Sequence, residues 1–594
     1  MKKSSKVLAV ILAVITILTA IAIPSFADAG GEWIGGNYNG FDYEVYDGKA
    51  SITGYTGSAT KLIIPSKVDG YQVVDIWHGA FSDCTSITSV TFPDTVTGIG
   101  HQSFYGCTKL KNITIPDSVT FIGIGAFDNT KYYNTESNWE NGALYIDNHL
   151  VGTNEDLSGA YTIKSGTITI ADNVFYYAGD ITSITIPASL KAIGGASLDV
   201  TGTAFMFCNK LTEIKVSSSN KYFSSKDGVL FNKNKTELIQ YPRGKNATSY
   251  TIPSTVKTIG DGAFNWCTKL KKVTISDGVV TIGTCAFEEC SGLTSITIPK
   301  SVKLIGISAF YNCDGLTTVT IGSGVTRIDD WAFSYCDNIA SITIPNSVKT
   351  IGWGAFFSCP SLSKVIIGTG VTEIESWAFA YCDSLTSITI PANVKTIGDT
   401  AFYKYDEDYI FIPIKGYKGT YAETYANEMG HPFTSLGSIP TSKTGLYKVG
   451  DTWCYVKGGK VNYDYTGLTK YNGEWYYVED GVKDSSFIGL YKYSGKWYYV
   501  KNGVVDKSYT GLVKHTDGKW YYVKNGVKTT YTGLCKYSGK WYYVNKGVVD
   551  FKYTGLCKYS SKWYYVKKGV VDFTYTGNVK YNGKIYKVKN GVKV

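Results

Sequence analysis

Histidine is scarce in this chain, with five among 594 residues, and methionine scarcer, with three. His78, His101, His149, His431 and His515 are scattered, and none has a cysteine, carboxylate or second histidine at a ligand or catalytic spacing. There is no HExxH, no GxSxG and no phosphate-binding glycine loop. The chain is therefore expected not to be an enzyme, and no metal or cofactor is expected. Long apolar runs are also lacking after the first thirty residues. The one such run, Val7–Ile23, follows Lys2, Lys3 and Lys6 and precedes Ala27-Asp28-Ala29. That order is the order of a secretory signal peptide over residues 1–29. After its cleavage no integral membrane segment is expected, and with no sortase-type ending any hold at the cell surface is expected to be non-covalent.

What the chain has is repetition. Phe264, Phe287, Phe310, Phe333, Phe356, Phe379 and Phe402 stand 23 residues apart, and Cys267, Cys290, Cys313, Cys336, Cys359 and Cys382 keep the same step. A fixed period in this range is the mark of a solenoid, in which one coil cannot bury its apolar face alone. In the unit that begins at Cys290, Leu-Thr-Ser-Ile-Thr-Ile-Pro alternates like a half-buried strand, and Pro299 ends its ladder. Val-Lys-Leu-Ile-Gly supplies a second short extended piece. Ala-Phe-x-x-Cys supplies a tight turn whose Ala, Phe and Cys face inward. The repeated cysteine position, which includes Cys84, Cys107 and Cys208, reads as a column of buried thiols packed as small hydrophobes.

These motifs resemble the BspA-like class of bacterial leucine-rich repeats over most of residues 40–436. The resemblance implies a mainly β solenoid and adhesion to a host or bacterial surface protein or glycan. The array is expected over 80–402, under an N-terminal β cap at 30–79 whose Asp47-Gly48 marks a hairpin. Coils at 128–252 are irregular, and the added residues are expected to form loops on one edge. A C-terminal cap at 403–436 carries a helix from Tyr421 to about Met429. Thr420 and Glu423 are expected to form its capping box, and Gly430 its stop. Large aromatics interrupt positions otherwise held by small or polar residues. Trp331, Trp353, Trp377, Tyr335 and Tyr381 are the candidate partner-binding residues of the solenoid.

After a linker at 437–443, seven 22-residue units fill 444–594, with Gly445, Gly467, Gly489, Gly511, Gly533, Gly555 and Gly577 as their markers. Each reads Tyr-Thr-Gly-Leu-x-Lys-Tyr-x-Gly-Lys-Trp-Tyr-Tyr-Val with small variations. Tight hairpins such as Asn472-Gly473 join strands of high β propensity, so a β-hairpin solenoid is expected. The units resemble the choline-binding and glucan-binding repeats of Gram-positive surface proteins. That family holds a quaternary ammonium between aromatic faces. Its tryptophan after the glycine is here Leu446, Leu468, Leu490, Leu512, Leu534, Leu556 and Asn578, which removes one wall of the cage. The candidate ligand-binding aromatics are Trp475, Tyr477, Trp497, Tyr499, Trp520, Tyr522, Trp541, Tyr543, Trp563 and Tyr565. Residues 441–594 carry 27 lysines against 10 acidic residues, a net of +17, while the whole chain is +10. A basic, tyrosine-rich tail suits a cell-wall polymer, teichoic acid or peptidoglycan glycan, better than nucleic acid. The resulting picture is a secreted, cell-wall-associated surface protein. A lectin-like effector released from the cell, or a structural surface-layer component, are the alternatives.

Overall fold

The computed structural model describes residues 34–194, 204–205, 207–404 and 411–594. The leader expected at 1–29 lies outside the described residues, as do short stretches of the irregular coils and of the C-terminal cap. Contacts divide the chain into two units. One comprises the described part of Met1–Ile366, Ile374–Thr386 and Gly398–Ile410; the other comprises Ile367–Glu373, Ser387–Ile397 and the described part of Phe411–Val594.

The first unit is a stack of coils. In the regular coils the run before the proline position forms a strand, and successive strands from Ser249–Thr251 to Thr318–Ile321 pair in parallel at a step of 23 residues. Ile296 lies opposite Val319, and Ile298 opposite Ile321. Ser295 and Thr297 face solvent while both isoleucines are buried, the alternation of a sheet with one wet face. Two-residue strands, Thr258–Ile259, Thr281–Ile282, Leu304–Ile305, Arg327–Ile328 and Thr350–Ile351, form a second parallel ladder. Between the ladders the turn carries the phenylalanine. Phe287 and Phe310 stack at 5.0 Å with 2° between their planes, and Phe310 and Phe333 repeat that geometry. Tyr241 takes the phenylalanine position one step before Phe264 and stacks on it at 5.2 Å.

Where the 23-residue period breaks, the described residues form antiparallel hairpins rather than the expected loops. Ala143–Ile146 pairs with His149–Thr153, and Val229–Asn232 with Glu237–Gln240. The N-terminal hairpin, Phe41–Tyr46 with Lys49–Tyr55, is built alike, and all three contain a register shift. In each, the second strand of the hairpin pairs in parallel with the next coil's short strand, so each hairpin starts a fresh sheet. The added residues thus satisfy their own backbone groups within the ladder, which a loop would leave to water.

In the second unit the helix Tyr421–Met429 buries Ala422, Tyr425 and Ala426, and Gly430 ends it in the left-handed conformation, φ 79°. Its start differs from a capping box. The Thr420 hydroxyl donates to the Tyr417 carbonyl at 2.7 Å, and the Glu423 carboxylate accepts from the Gly419 amide, one residue ahead of the N-cap, at 2.8 Å. The strand Ile414–Lys418 pairs in parallel with Phe433–Ser438. From Thr444 onward one continuous sheet of 21 strands winds through the aromatic repeats.

Candidate binding sites of the two repeat arrays

A tail repeat is three strands joined by two turns. In one copy these are Gly467–Tyr471, Glu474–Glu479 and Val482–Lys483. Both turns need two residues with positive φ, and Asn472-Gly473 and Asp480-Gly481 supply them. The central strand pairs with the first strand of its own repeat and with the third strand of the next, so that Tyr476 lies opposite Val504. The Tyr477 amide also donates to the Gly503 carbonyl at 2.8 Å. Every Trp-Tyr-Tyr strand is therefore fixed from both sides by backbone, and its three rings have separate destinations.

The third ring packs between repeats. Tyr477 stacks on Phe487 at 4.1 Å, Tyr499 on Tyr509 at 4.2 Å, Tyr543 on Tyr553 at 3.8 Å and Tyr565 on Tyr575 at 4.1 Å. Tyr522 meets Tyr531 at 4.5 Å in the same way. Tyr477, Tyr499 and Tyr565 are buried; Tyr522 and Tyr543 are half-buried. The stacked partners are anchored in turn, since the hydroxyls of Tyr509, Tyr531 and Tyr553 donate to the carbonyls of Leu512, Leu534 and Leu556. The leucines after the repeat glycines are buried in the same seams, with Leu468 against Tyr477 and Leu556 against Tyr565.

The first ring stays half-exposed and meets an aromatic of the following repeat. Trp453 lies 4.7 Å from Tyr471, Trp475 5.3 Å from Tyr493, Trp497 5.0 Å from His515, Trp520 4.9 Å from Tyr537, Trp541 4.6 Å from Tyr559 and Trp563 5.8 Å from Tyr581. The second ring, absent from the sequence-based candidates, completes this site from the next repeat's central strand. Around Trp497 the completing ring is Tyr521, 6.0 Å from His515. Lysine ammonium groups mark the spot. The Lys528 ammonium is 3.8 Å from the Tyr521 centroid and 5.6 Å from that of Trp497. The Lys593 ammonium is 4.1 Å from Tyr586 and 5.9 Å from Trp563.

Each tryptophan also has a basic neighbour. Lys448, Lys470, Lys492, Lys514, Lys536 and Lys558 are the cross-strand partners of Trp453, Trp475, Trp497, Trp520, Trp541 and Trp563, and all six lysines are exposed. Directly opposed residues share one face of a sheet. An aromatic face and a cation thus recur together in the first six repeats, and in the seventh Lys580 lies opposite Ile585.

The solenoid's candidates form a second set. Trp331 contacts Trp353 at 4.3 Å and Phe357 at 5.2 Å, and Trp353 reaches Trp377 at 6.3 Å. Tyr335 and Tyr381 flank Phe357 at 5.5 and 5.0 Å. Tyr311 and Tyr403 extend the strip at its two ends. All of these rings are half-exposed. Trp331, Tyr335, Trp377 and Tyr381 hold φ between 56° and 64°, a region bulky residues seldom occupy. The turn requires it. Amide groups at alternate positions cross to the next coil, Trp331 to the Trp353 carbonyl, Phe333 to that of Ala355 and Tyr335 to that of Phe357. Aromatics here accept backbone strain that Gly354 or Asn312 bears at lower cost in neighbouring coils.

Among the described residues no cysteine forms a disulfide, and those of the turn column are buried apart from Cys84, which is half-buried. Among the described residues no cluster of three or more His, Cys, Asp or Glu side chains is placed to hold a metal, and no helix is long and apolar enough to cross a membrane.

Comparison with known families matches the BspA type leucine rich repeat region over residues 74–201, 161–242, 240–359 and 303–422. The choline-binding repeat matches over six consecutive stretches from 442–462 to 552–572. A comparison with curated proteins gave no match. Among solved structures, a leucine-rich repeat protein of Eubacterium ventriosum is 27% identical, covering 64% of this chain and 97% of its own, with a TM-score of 0.41. A leucine-rich cell surface protein of Faecalibacterium prausnitzii is 26% identical, covering 60% and 94%, with a TM-score of 0.32. The pneumococcal vaccine antigen PcpA is 20% identical, covering 68% and 98%, with a TM-score of 0.31.

Proposed function

Since this chain belongs to the family built on the BspA type leucine rich repeat region, we propose that it is an exported bacterial surface protein with two binding arrays. Residues 444–594 attach it non-covalently to a cell-wall polymer. The solenoid, through Trp331, Trp353, Trp377, Tyr335 and Tyr381, engages a host or bacterial surface protein or glycan.

The recurrence of an exposed lysine opposite each half-exposed tryptophan carries the reading of the tail. A lysine recognises phosphate as a point charge, and an aromatic face accepts a quaternary ammonium or stacks on a sugar ring. A polymer with phosphate and an ammonium or sugar group in each unit satisfies both at every step. Six weak contacts on one polymer multiply into stable attachment. With a net charge of +17 over residues 441–594, the tail favours an ammonium that comes with an anion beside it over a free cation.

The test is co-sedimentation of the full chain with Gram-positive cell walls, before and after extraction of teichoic acid, across salt and choline series. Retention that extraction abolishes, and that salt or millimolar choline weakens, supports the reading. Retention indifferent to extraction, salt and choline overturns it.

A further inference from the structure

The aromatic sites between tail repeats fall into two kinds, set by one residue. From the second repeat onward, the third strand of each reads Gly-Val-Lys or Gly-Val-Val. Lysine stands at Lys483, Lys528 and Lys593, and valine at Val505, Val549 and Val571. Each lysine is half-buried and lays its ammonium on the site's own rings, 4.4 Å from Tyr476 for Lys483 and 3.8 and 4.1 Å from Tyr521 and Tyr586 for the others. Burial lowers the Lys528 pKa, as expected of an ammonium partly withdrawn from water.

Each valine is buried in one cluster with the equivalent rings: Val505 with Trp475 and Tyr498, Val549 with Trp520 and Tyr542, Val571 with Trp541 and Tyr564. A valine stops at the floor of the site, where a lysine continues through further methylenes to its charge. Beside Val505 opens a cleft of about 400 Å³, lined by Glu474, Lys501, Asp506 and Lys507 among others. Its mixed charges suit a ligand with both signs.

We propose that Lys483, Lys528 and Lys593 act as built-in occupants of three of the six inter-repeat aromatic sites, so that an external quaternary ammonium group enters only the three valine sites. The proposal rests on the reading of the tail as a wall-polymer binder. It deepens that reading by fixing which sites are open. A tethered cation has no translational entropy left to lose, so it outcompetes a free one for the same rings. Open sites then fall at Trp475, Trp520 and Trp541, with the occupied site of Trp497 between the first and second. The polymer would be gripped at those points and held by charge elsewhere.

The test is calorimetric titration of the full chain with choline chloride at constant ionic strength, with tryptophan fluorescence followed in parallel. The expected stoichiometry is about three, six sites less three occupied. Lys483→Val, Lys528→Val and Lys593→Val together raise it to about six, and the Lys→Gln set, which keeps length without charge, raises it too. Both sets copy or conserve shape, and circular dichroism confirms folding. Val505→Lys, Val549→Lys and Val571→Lys together abolish uptake. A stoichiometry unchanged by the Lys→Val and Lys→Gln sets overturns the proposal while leaving the tail a choline binder. No uptake by the native chain or by any folded variant overturns instead the ammonium part of the underlying reading.

Discussion

The thiol of Cys313 donates to the carbonyl of Phe287, one coil earlier, at 3.0 Å. The contact recurs from Cys290 to Phe264, Cys336 to Phe310, Cys359 to Phe333 and Cys382 to Phe356, all at 3.1 or 3.2 Å. The Phe287 carbonyl already accepts the Cys290 amide within its own turn at 3.2 Å, so the thiol adds a second, weak hydrogen bond to a buried acceptor. Cysteine is small enough for the column and still offers a weak donor, which alanine or valine does not. Burial pushes the Cys290 thiol up to about 12 and that of Cys313 well above its ordinary value. The folded chain is therefore expected to leave its column cysteines unmodified by iodoacetamide at pH 8, with labelling only after denaturation; mass spectrometry of both samples checks this. Cys313→Ala is expected to lower stability by about 1 kcal/mol, the scale of one hydrogen bond lost at an acceptor that keeps its other partner.

Phe310 is sandwiched between Phe287 and Phe333 at 5.0 Å on either side. Phe310→Ala is expected to cost about 3–5 kcal/mol. Because coils are held only by their neighbours, the loss should split the unfolding transition rather than shift it whole. Denaturant melts followed by hydrogen exchange on either side of residue 310 give the measurement, and a single shifted transition would contradict the nearest-neighbour account.

Burial holds several carboxyls of the first unit above their ordinary range, three of them furthest. Burial raises Asp172 to about 7, Glu288 to about 7 and Asp75 to about 6. In each the folded chain holds a proton that the unfolded chain has released, so their stabilising contribution is complete below about pH 4 and is lost as pH rises toward 7. Thermal melts from pH 4.5 to 8 are expected to fall across that window from these groups. Asp172→Asn, which is neutral throughout, should flatten the decline. An unchanged slope in the variant would remove Asp172 from the account.

Tyr335 sits where the previous coil has Asn312, both with left-handed backbone, φ 57° and 54°. Tyr335→Asn puts a residue tolerant of that conformation in place of one that is not. Lost ring contacts and relieved strain should then offset to within about 1 kcal/mol. Binding to whatever surface the strip recognises should fall at least tenfold, read against the unchanged tail binding of the same sample. A fall in stability instead would make the strip an internal brace.

Most of the fold was legible because period is legible. The 23-residue step placed the phenylalanine column and the cysteine column, and the tail's glycines placed its turns. Contacts between units of the repeat were less accessible. Tyr241 standing in for a phenylalanine, and the hairpins in place of loops, depend on which edge each coil offers the next. Tyr476, Tyr498, Tyr521, Tyr542, Tyr564 and Tyr586 escaped notice because alternation alone cannot say that the middle ring of Trp-Tyr-Tyr faces the preceding repeat. The change between Gly-Val-Lys and Gly-Val-Val was the available signal. Leu468 and its equivalents read as a missing wall, yet they fill the seam under the third tyrosine.

The three register-shifted hairpins divide the solenoid into blocks, each with its own antiparallel starter and parallel coils added to one side. A hairpin closes over a few residues, whereas the first parallel pair of a bare stack must close a whole coil before it gains anything. A chain emerging N-terminus first would find a local template at residues 41, 143 and 229 in turn. Such a protein can lengthen or shorten by whole blocks over evolution without losing its ability to begin folding.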